Sequence, residues 1–524
     1  MAAIAKKKFL AWKGIKYIIN WSAYRCMRSV LLLLLILAAS STLVFPSNAP
    51  LAEWASVRVV EAGRVSSSPG EMHGIVVNVS IPSSDKWQSV YVKDGALRDG
   101  YGNNVLILRE DSTRTTYSYS KDVLVNVSAR KALSLQGDAL FDSEKRQYVS
   151  PTSRTQSDDP LIEQTARTVT EGAGDDFEKV ARIAAFVHEN VAYDESYLGR
   201  ENDARYILGD MRGVCVEYTT LFIALARAEG IPARYVTGYA YGEEHGGWVG
   251  HAWAEVYVNG TWIGVDPTWM EAGDIDALHI VIARLPEIGN MIHVSANVPA
   301  GTRITWEGSG TEGALANNIE TLNITYGSRL SDYSLSAAKG EVEPGESTEI
   351  VLSVEGDRYR VIPVLLVSCS GAGSFTVAGG MKYLVLEPGK NATARWTATA
   401  PASISKNLAY NCPLTLNSPY LELRTASVIV AKRSPAAITQ KAAAEAINDS
   451  RNTISGLVPG FVKSKIPPAA AASAQGSVAG QTESEQAVAQ GTASRQVSPA
   501  CAAPLAILLI IFHAAFFGKE GKRA

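Results

Sequence analysis

The sequence predicts a multidomain chain: a central α+β domain flanked by two β-sandwich modules, with a transmembrane helix at each end. Three observations carry this. Helical and strand-like patterns occur together only between residues 155 and 290. Short alternating runs, punctuated by Gly, Ser and Pro, fill 51–150 and 295–432, as expected of sandwiches. Apolar runs beside basic residues stand near both ends. The 524 residues are more than one ordinary domain needs, so several are expected. The formal net charge of −3 implies no nucleic-acid or strongly acidic partner.

Residues 1–29 carry Lys6, Lys7, Lys8, Lys13, Lys16, Arg25 and Arg28, followed by the apolar run Val30 to Phe45. Basic residues before such a run predict a signal anchor or transmembrane helix over 30–46, with the N-terminus inside. The run is short for a full span, so a cleaved signal peptide stays open. Between 51 and 150, HGIVVNVSI, WQSVYVKD, NVLILRE and RTTYSYSKDVLVNVS read as strands without a catalytic cluster. FDSEKRQYVSPTSRTQSDDP reads as a polar connection. PLIEQTARTVTEG and DDFEKVARIAAFVHEN follow as helices. Val180, Ile183, Ala184 and Val187 fall on one face of the second, a core stripe.

The stretch Arg212 to Thr268 holds the chemistry. An apolar segment, Val216 to Ala228, ends at Gly230 with Pro232 beyond, a helix with its stop signals. Cys215 then sits at the helix N-terminus, where free N–H groups and the macrodipole favour a thiolate and could hold an oxyanion. Glu217 in the first turn reads as helix support. ARYVTGYAY reads as a strand and GEEHGGWVG as a glycine-rich loop. Asn259-Gly260 between HAWAEVYV and TWIGVDPTW is a hairpin signal. With a two-residue turn Val258 faces Thr261, Trp253 faces Asp266 and His251 faces Thr268. His251 and Asp266 are then diagonal neighbours on one face. That face also carries Trp253, Glu255, Tyr257 and Trp262, and is expected to be an aromatic, polar working face. Ala252, Ala254, Val256, Val258, Ile263 and Val265 form the core face. A thiol, an imidazole and a carboxylate are the parts of a cysteine-nucleophile triad.

The stretch resembles the transglutaminase-like superfamily of papain-like thiol enzymes, in its membrane-anchored prokaryotic form. The match rests on Arg212 to Cys215, Glu217, Tyr218, Gly230 to Arg234, Gly238-Tyr239, His251 to Trp253, Glu255-Val256, Trp262 and Asp266 to Thr268. It extends from about Asp159 to about Leu285. The resemblance implies a papain-like central fold, Cys215 as nucleophile, His251 as general base and acid, and Asp266 as the orienting group. The family often places an aromatic donor near the oxyanion; Tyr193 and Trp253 are candidates. His245 and His279 read as bystanders.

Residues 295–432 read as an immunoglobulin-like module with ETLNITY, TEIVLSVEG, YRVIPVLLVS, KYLVLEPG, ATARWTATA and YLELRTASVIVA as strands. Cys369 and Cys412 fall within it, and a disulfide between them is plausible outside the cytoplasm. The sequence shows no CxxC, HExxH or calcium-loop pattern, so neither metal nor cofactor is expected. From 433 to 499 the composition shifts to Ala, Ser, Gln, Gly and Thr, a flexible linker. An apolar run over 500–518 precedes a basic tail, 519–524, with Lys519, Lys522 and Arg523. It predicts a second transmembrane helix with its C-terminus inside, or a cell-surface sorting signal. Asn-X-Ser/Thr triplets at Asn78, Asn126, Asn259, Asn323, Asn391 and Asn448 are compatible with an outside location.

Together these predict a cell-membrane enzyme with residues 47–499 outside the cytoplasm and both termini inside. It would attack amide bonds of a protein or peptide through a thioester, most simply as a protease or amidase. Transfer to amines, or a catalytically silent module binding peptides or glycans, are the alternatives.

Overall fold

The computed structural model describes residues 51–432, apart from 94, 138, 201, 243–245, 309–317 and 406–407. Both apolar runs, the linker and His245 lie outside the described residues. No helix among the described residues is long and apolar enough to cross a membrane.

The first β-module is built on two long strands. Ala52–Ser68 pairs antiparallel with Thr116–Ser128, from Trp54 opposite Ser128 to Ser66 opposite Thr116. Alternation puts Ala55, Val57, Val59, Val123, Val125 and Val127 on one buried face, as a half-buried strand pair requires. That half of the face packs on Tyr239, Ile280 and Ile282 of the central sheet. Further along, Val65 and Tyr119 pack on Ile75, Val77, Val79 and Leu106, from a second, four-stranded sheet.

Here the boundaries differ from expectation. Ile292–Asn297 pairs with His73–Ser80. Arg303–Gly308 and Ile319–Tyr326 both pair with Ala52–Ser68. The segment 292–326, expected to open the second module at 295, therefore completes the first one. Alternation identifies a strand and its buried face but not its partner, so ETLNITY could not be allocated by pattern alone.

Five helices follow the first strands: α1 Asp142–Val149, α2 Pro160–Thr170, α3 Asp176–Asn190, α4 Ala204–Asp210 and α5 Cys215–Ala228. α1 corrects the expected polar connection; it buries only Tyr148, so it offers no apolar stripe to read. α2 and α3 begin as their caps dictate. Asp159 accepts from the Leu161 and Ile162 N–H groups, with Pro160 at the first position, and Asp175 accepts from Glu178 N–H. These are standard N-terminal devices. Ile183, Ala184 and Val187 of α3 pack with Leu221, Phe222 and Leu225 of α5 in the central core.

The central sheet runs in the order His279–Leu285, Ala233–Gly242, Gly247–Val258, Thr261–Asp266, Glu271–Ala272. Its Ala252, Ala254, Val256, Ile263 and Val265 face α5, the expected core face. The sheet continues through Ala272 opposite Val361 into the second β-module. There, Ile350, Leu352 and Trp396 of one sheet meet Ile362, Leu414 and Val428 of the other. Cys369 and Cys412 are disulfide-bonded, with Cα atoms 5.4 Å apart.

Candidate active site

α5 is almost wholly buried. Its first residue is Cys215, and Val214 at the N-cap has no side-chain oxygen to offer. Glu217 supplies the missing polar group: its Oε2 accepts from the Val214 N–H at 2.9 Å. Burial pushes the Glu217 carboxyl up, while the Val214 N–H and Asn202 oppose that shift. Gly213 has no Cβ because one would lie 2.2 Å from Glu217 Cβ. The sequence-level role of Glu217 as helix support agrees with this geometry.

The hairpin turns at Asn259 and Gly260, with φ of 46° and 87°, the left-handed pair that a two-residue turn demands. Val258 lies opposite Thr261, and pairing runs back to Ala254 opposite Val265. From there Asp266 pairs onward with Glu271. The ladder stops short of the expected pairings of Trp253 with Asp266 and His251 with Thr268, yet the two side chains meet: His251 Nε2 donates to Asp266 Oδ2 at 2.7 Å. Asp266 Oδ1 accepts from the backbone N–H groups of Thr268, at 2.8 Å, and Trp269, which fixes the carboxylate from behind. Cys215 lies close enough to His251 to help raise its pKa. The three side chains named from the sequence therefore meet in one place.

All three are enclosed: Cys215 is 1% exposed, His251 3% and Asp266 0%. Trp269 stacks on the His251 ring at 4.4 Å and 12°, and Trp253 stacks at 6.0 Å on a tilt of 23°. Burial alone would lower the His251 pKa. The charge and hydrogen bond of Asp266, with smaller contributions from Cys215, outweigh burial and carry it up to about 9. Burial pushes Asp266 the other way, and the charge and hydrogen bond of His251, then His279, hold its carboxyl far below the usual range.

His279 is no bystander, and this is a correction. Its Nε2 lies 3.4 Å from Asp266 Oδ2 and its Nδ1 2.9 Å from Asp276 Oδ1. Burial works against its charge, but Glu271, Asp266 and Asp276 raise its pKa. Burial and the neighbouring Asp276 raise Glu271 as well. In the sequence His279 opens the strand HIVIARL three residues after Asp276, which does not by itself place it in the site. Only the strand order brings that end of the strand beside His251. His188 on α3, also not singled out from sequence, contacts the Pro267 and Thr268 carbonyls through Nδ1 at 3.2 Å.

Among the described residues, two groups have metal-ligand spacing: His251, Asp266 and His279, and Glu271, Asp276 and His279, each with ligand atoms within 4.8 Å. Their donors already engage one another.

The expected working face needs correction too. Glu255 is buried between Arg234 and Arg284, and Trp262 is covered by the Arg234 guanidinium at 4.0 Å. Period-2 alternation separates two faces without saying what covers each. A cavity of about 480 Å³ lies beside the chain neighbours of Cys215, lined by Val214, Val216, Gly238 and Gly250, with Val79 and Trp306 from the first β-module. Of the two aromatic donor candidates, Tyr193 is 45% exposed, and its backbone pairs with Gly213. Trp253 is fully buried, with no partner for its indole Nε1.

Comparison with known proteins now decides the family of this region. Residues 163–267 match the family model of the transglutaminase-like superfamily. They form a transglutaminase-like core domain. Uncharacterized proteins of Mycobacterium bovis and Mycobacterium tuberculosis are 27% identical to the chain over 210 residues, 36% of this chain. The chain spans 66% of the length of these curated relatives. Among solved structures, a candidate cysteine protease from Cytophaga hutchinsonii is 20% identical, with a TM-score of 0.35, over 52% of this chain and 98% of its own. The periplasmic domain of TgpA from Pseudomonas aeruginosa is 17% identical, with a TM-score of 0.26, over 42% and 88%. Red sea bream transglutaminase is 9% identical, with a TM-score of 0.20, over 70% and 78%. None of these structural likenesses bears on activity. The matched residues end just past Asp266, while the sheet they belong to continues to Leu285.

Proposed function

We propose that the chain is a membrane-anchored thiol enzyme that cleaves amide bonds in peptides or proteins outside the cytoplasm. The observation that carries this reading is the line from Cys215 through His251 to Asp266, with 2.7 Å between the last two. With Nε2 held by Asp266, the ring leaves Nδ1 for the thiol. His251 Nδ1 takes the thiol proton, Cys215 sulfur attacks the carbonyl carbon as its C=O π bond opens, and backbone N–H groups at the α5 N-terminus take up the developing oxyanion. His251 gives its proton to the leaving amine as the C–N bond breaks, leaving a thioester. Water then attacks, His251 takes its proton, the C–S bond breaks, and the acid leaves. An amine in place of water would make the same site a transferase. The disulfide between Cys369 and Cys412 supports an oxidising compartment, and the terminal apolar runs support tethering at a membrane.

Burial of Cys215 favours a second reading, a closed peptide-binding module. Iodoacetamide labelling read by mass spectrometry separates the two. A thiol enzyme of this kind labels at Cys215 in mildly acidic buffer, and His251→Ala slows that labelling. Equal, slow labelling of parent and His251→Ala would sink the enzyme reading. A screen with peptide and amine-donor substrates then separates hydrolysis from transfer.

A further inference from the structure

On the side of the central sheet away from α5 lies a second cavity, of about 520 Å³. That size falls within the range of small-molecule sites, about 300–1,000 Å³. It opens where the first β-module meets the hairpin. Five cations line it, Lys86, Arg130, Lys131, Arg234 and Arg284, against two carboxylates, Asp85 and Glu255. Lys131 is taken by Glu53, outside the cavity. Glu255 takes Arg234 at 2.8 Å and Arg284 at 2.9 Å, and Asp85 takes Arg284 at 2.5 Å. What remains over is Arg130. It is 5% exposed, its nearest carboxylate is Asp85 at 3.8 Å, and its Nε has no partner. Its hydrogen bonds go to neutral oxygens, the His279 carbonyl at 3.0 Å and Gln88 Oε1 at 3.3 Å, and Asp85 stands beyond hydrogen-bond reach.

A buried guanidinium with an incomplete set of partners is costly unless an anion completes it. Burial accordingly presses the Arg130 pKa down, against the pull of Asp85. The chain as a whole is slightly acidic, so this local excess of positive charge does not follow from composition. We propose that this cavity binds an oxyanion, a carboxylate or phosphate group, with Arg130 as its fixed cation and Lys86 at its mouth. Lys86 is exposed and stands 5.0 Å from the Trp87 ring. The space exceeds what a bare phosphate fills, so the natural occupant carries its anionic group on a larger body. Trp87 and Trp262 give that body apolar walls.

The site is independent of turnover, and so is its test. The full-length chain is titrated calorimetrically with inorganic phosphate and, separately, with citrate, at constant ionic strength. Saturable binding of either supports the site, and the tighter of the two tells phosphate from carboxylate chemistry. Arg130→Gln is expected to weaken binding by about tenfold or more, the loss of one charge-assisted hydrogen bond. Lys86→Glu, at an exposed position that leaves the core intact, is expected to weaken it too, and it decides the matter if Arg130→Gln fails to fold. The idea is overturned if neither anion binds saturably, or if Lys86→Glu binds both as the parent does.

Discussion

Each group of the candidate site is held by a second one. Asp266 orients His251 through one oxygen and is itself pinned through the other by two backbone N–H groups. Cys215→Ala is expected to abolish any amidase activity, by about 10³-fold or more, and Asp266→Asn to cost about 10²–10⁴-fold; initial rates on a peptide found by the substrate screen check both. The raised His251 pKa also predicts a stability profile. The folded chain keeps a proton on His251 that the unfolded chain has lost between about pH 6.5 and about 9. This contribution is therefore complete below about pH 6.5 and gone above about 9. Thermal midpoints measured across that window should fall with rising pH, and Asp266→Asn should flatten the fall. Cys215, His251 and Asp266 were legible in the sequence because each sits in a local pattern: a helix start, and two strands joined by Asn-Gly. His279 and Arg130 were not, because their roles come from strand order and from packing between modules.

At the level of elements, α5 and the hairpin explain why the sequence could be read so far. The helix bounds follow from Gly230 and Pro232 at one end and Glu217 at the other, all local signals. Glu217→Ala removes the bond to the Val214 N–H and should cost about 0.5–2 kcal/mol. Glu217→Gln, which keeps an acceptor, should recover most of it. Chemical denaturation of the two variants beside the parent is the measurement. α1 was missed for the opposite reason, since a helix that buries one tyrosine carries no periodic stripe.

For the whole molecule, the sequence showed three β-rich or mixed regions in the right order but drew one boundary at the wrong place. The strands of 292–326 complete the first module, and the central sheet runs on into the second. The chain does not divide at Asn290. A fragment ending there lacks three strands of the first module, and the first module in it should unfold at a lower temperature than in residues 51–432. Calorimetry of both fragments tests this. The sequence pattern gave no warning, because pairing partners some 240 residues apart, such as Val65 and Trp306, leave no local trace.

That separation also sets an order of events during synthesis. The first module emerges early, yet its edge strands arrive only after the whole thiol-bearing domain has followed. Until then the edge of Ala52–Ser68 is open, and its backbone groups can pair with any extended segment nearby. The growing chain is therefore most open to mispairing while residues 69–291 are being made. The nascent polypeptide cannot close its oldest sheet until one of its newer segments returns to it.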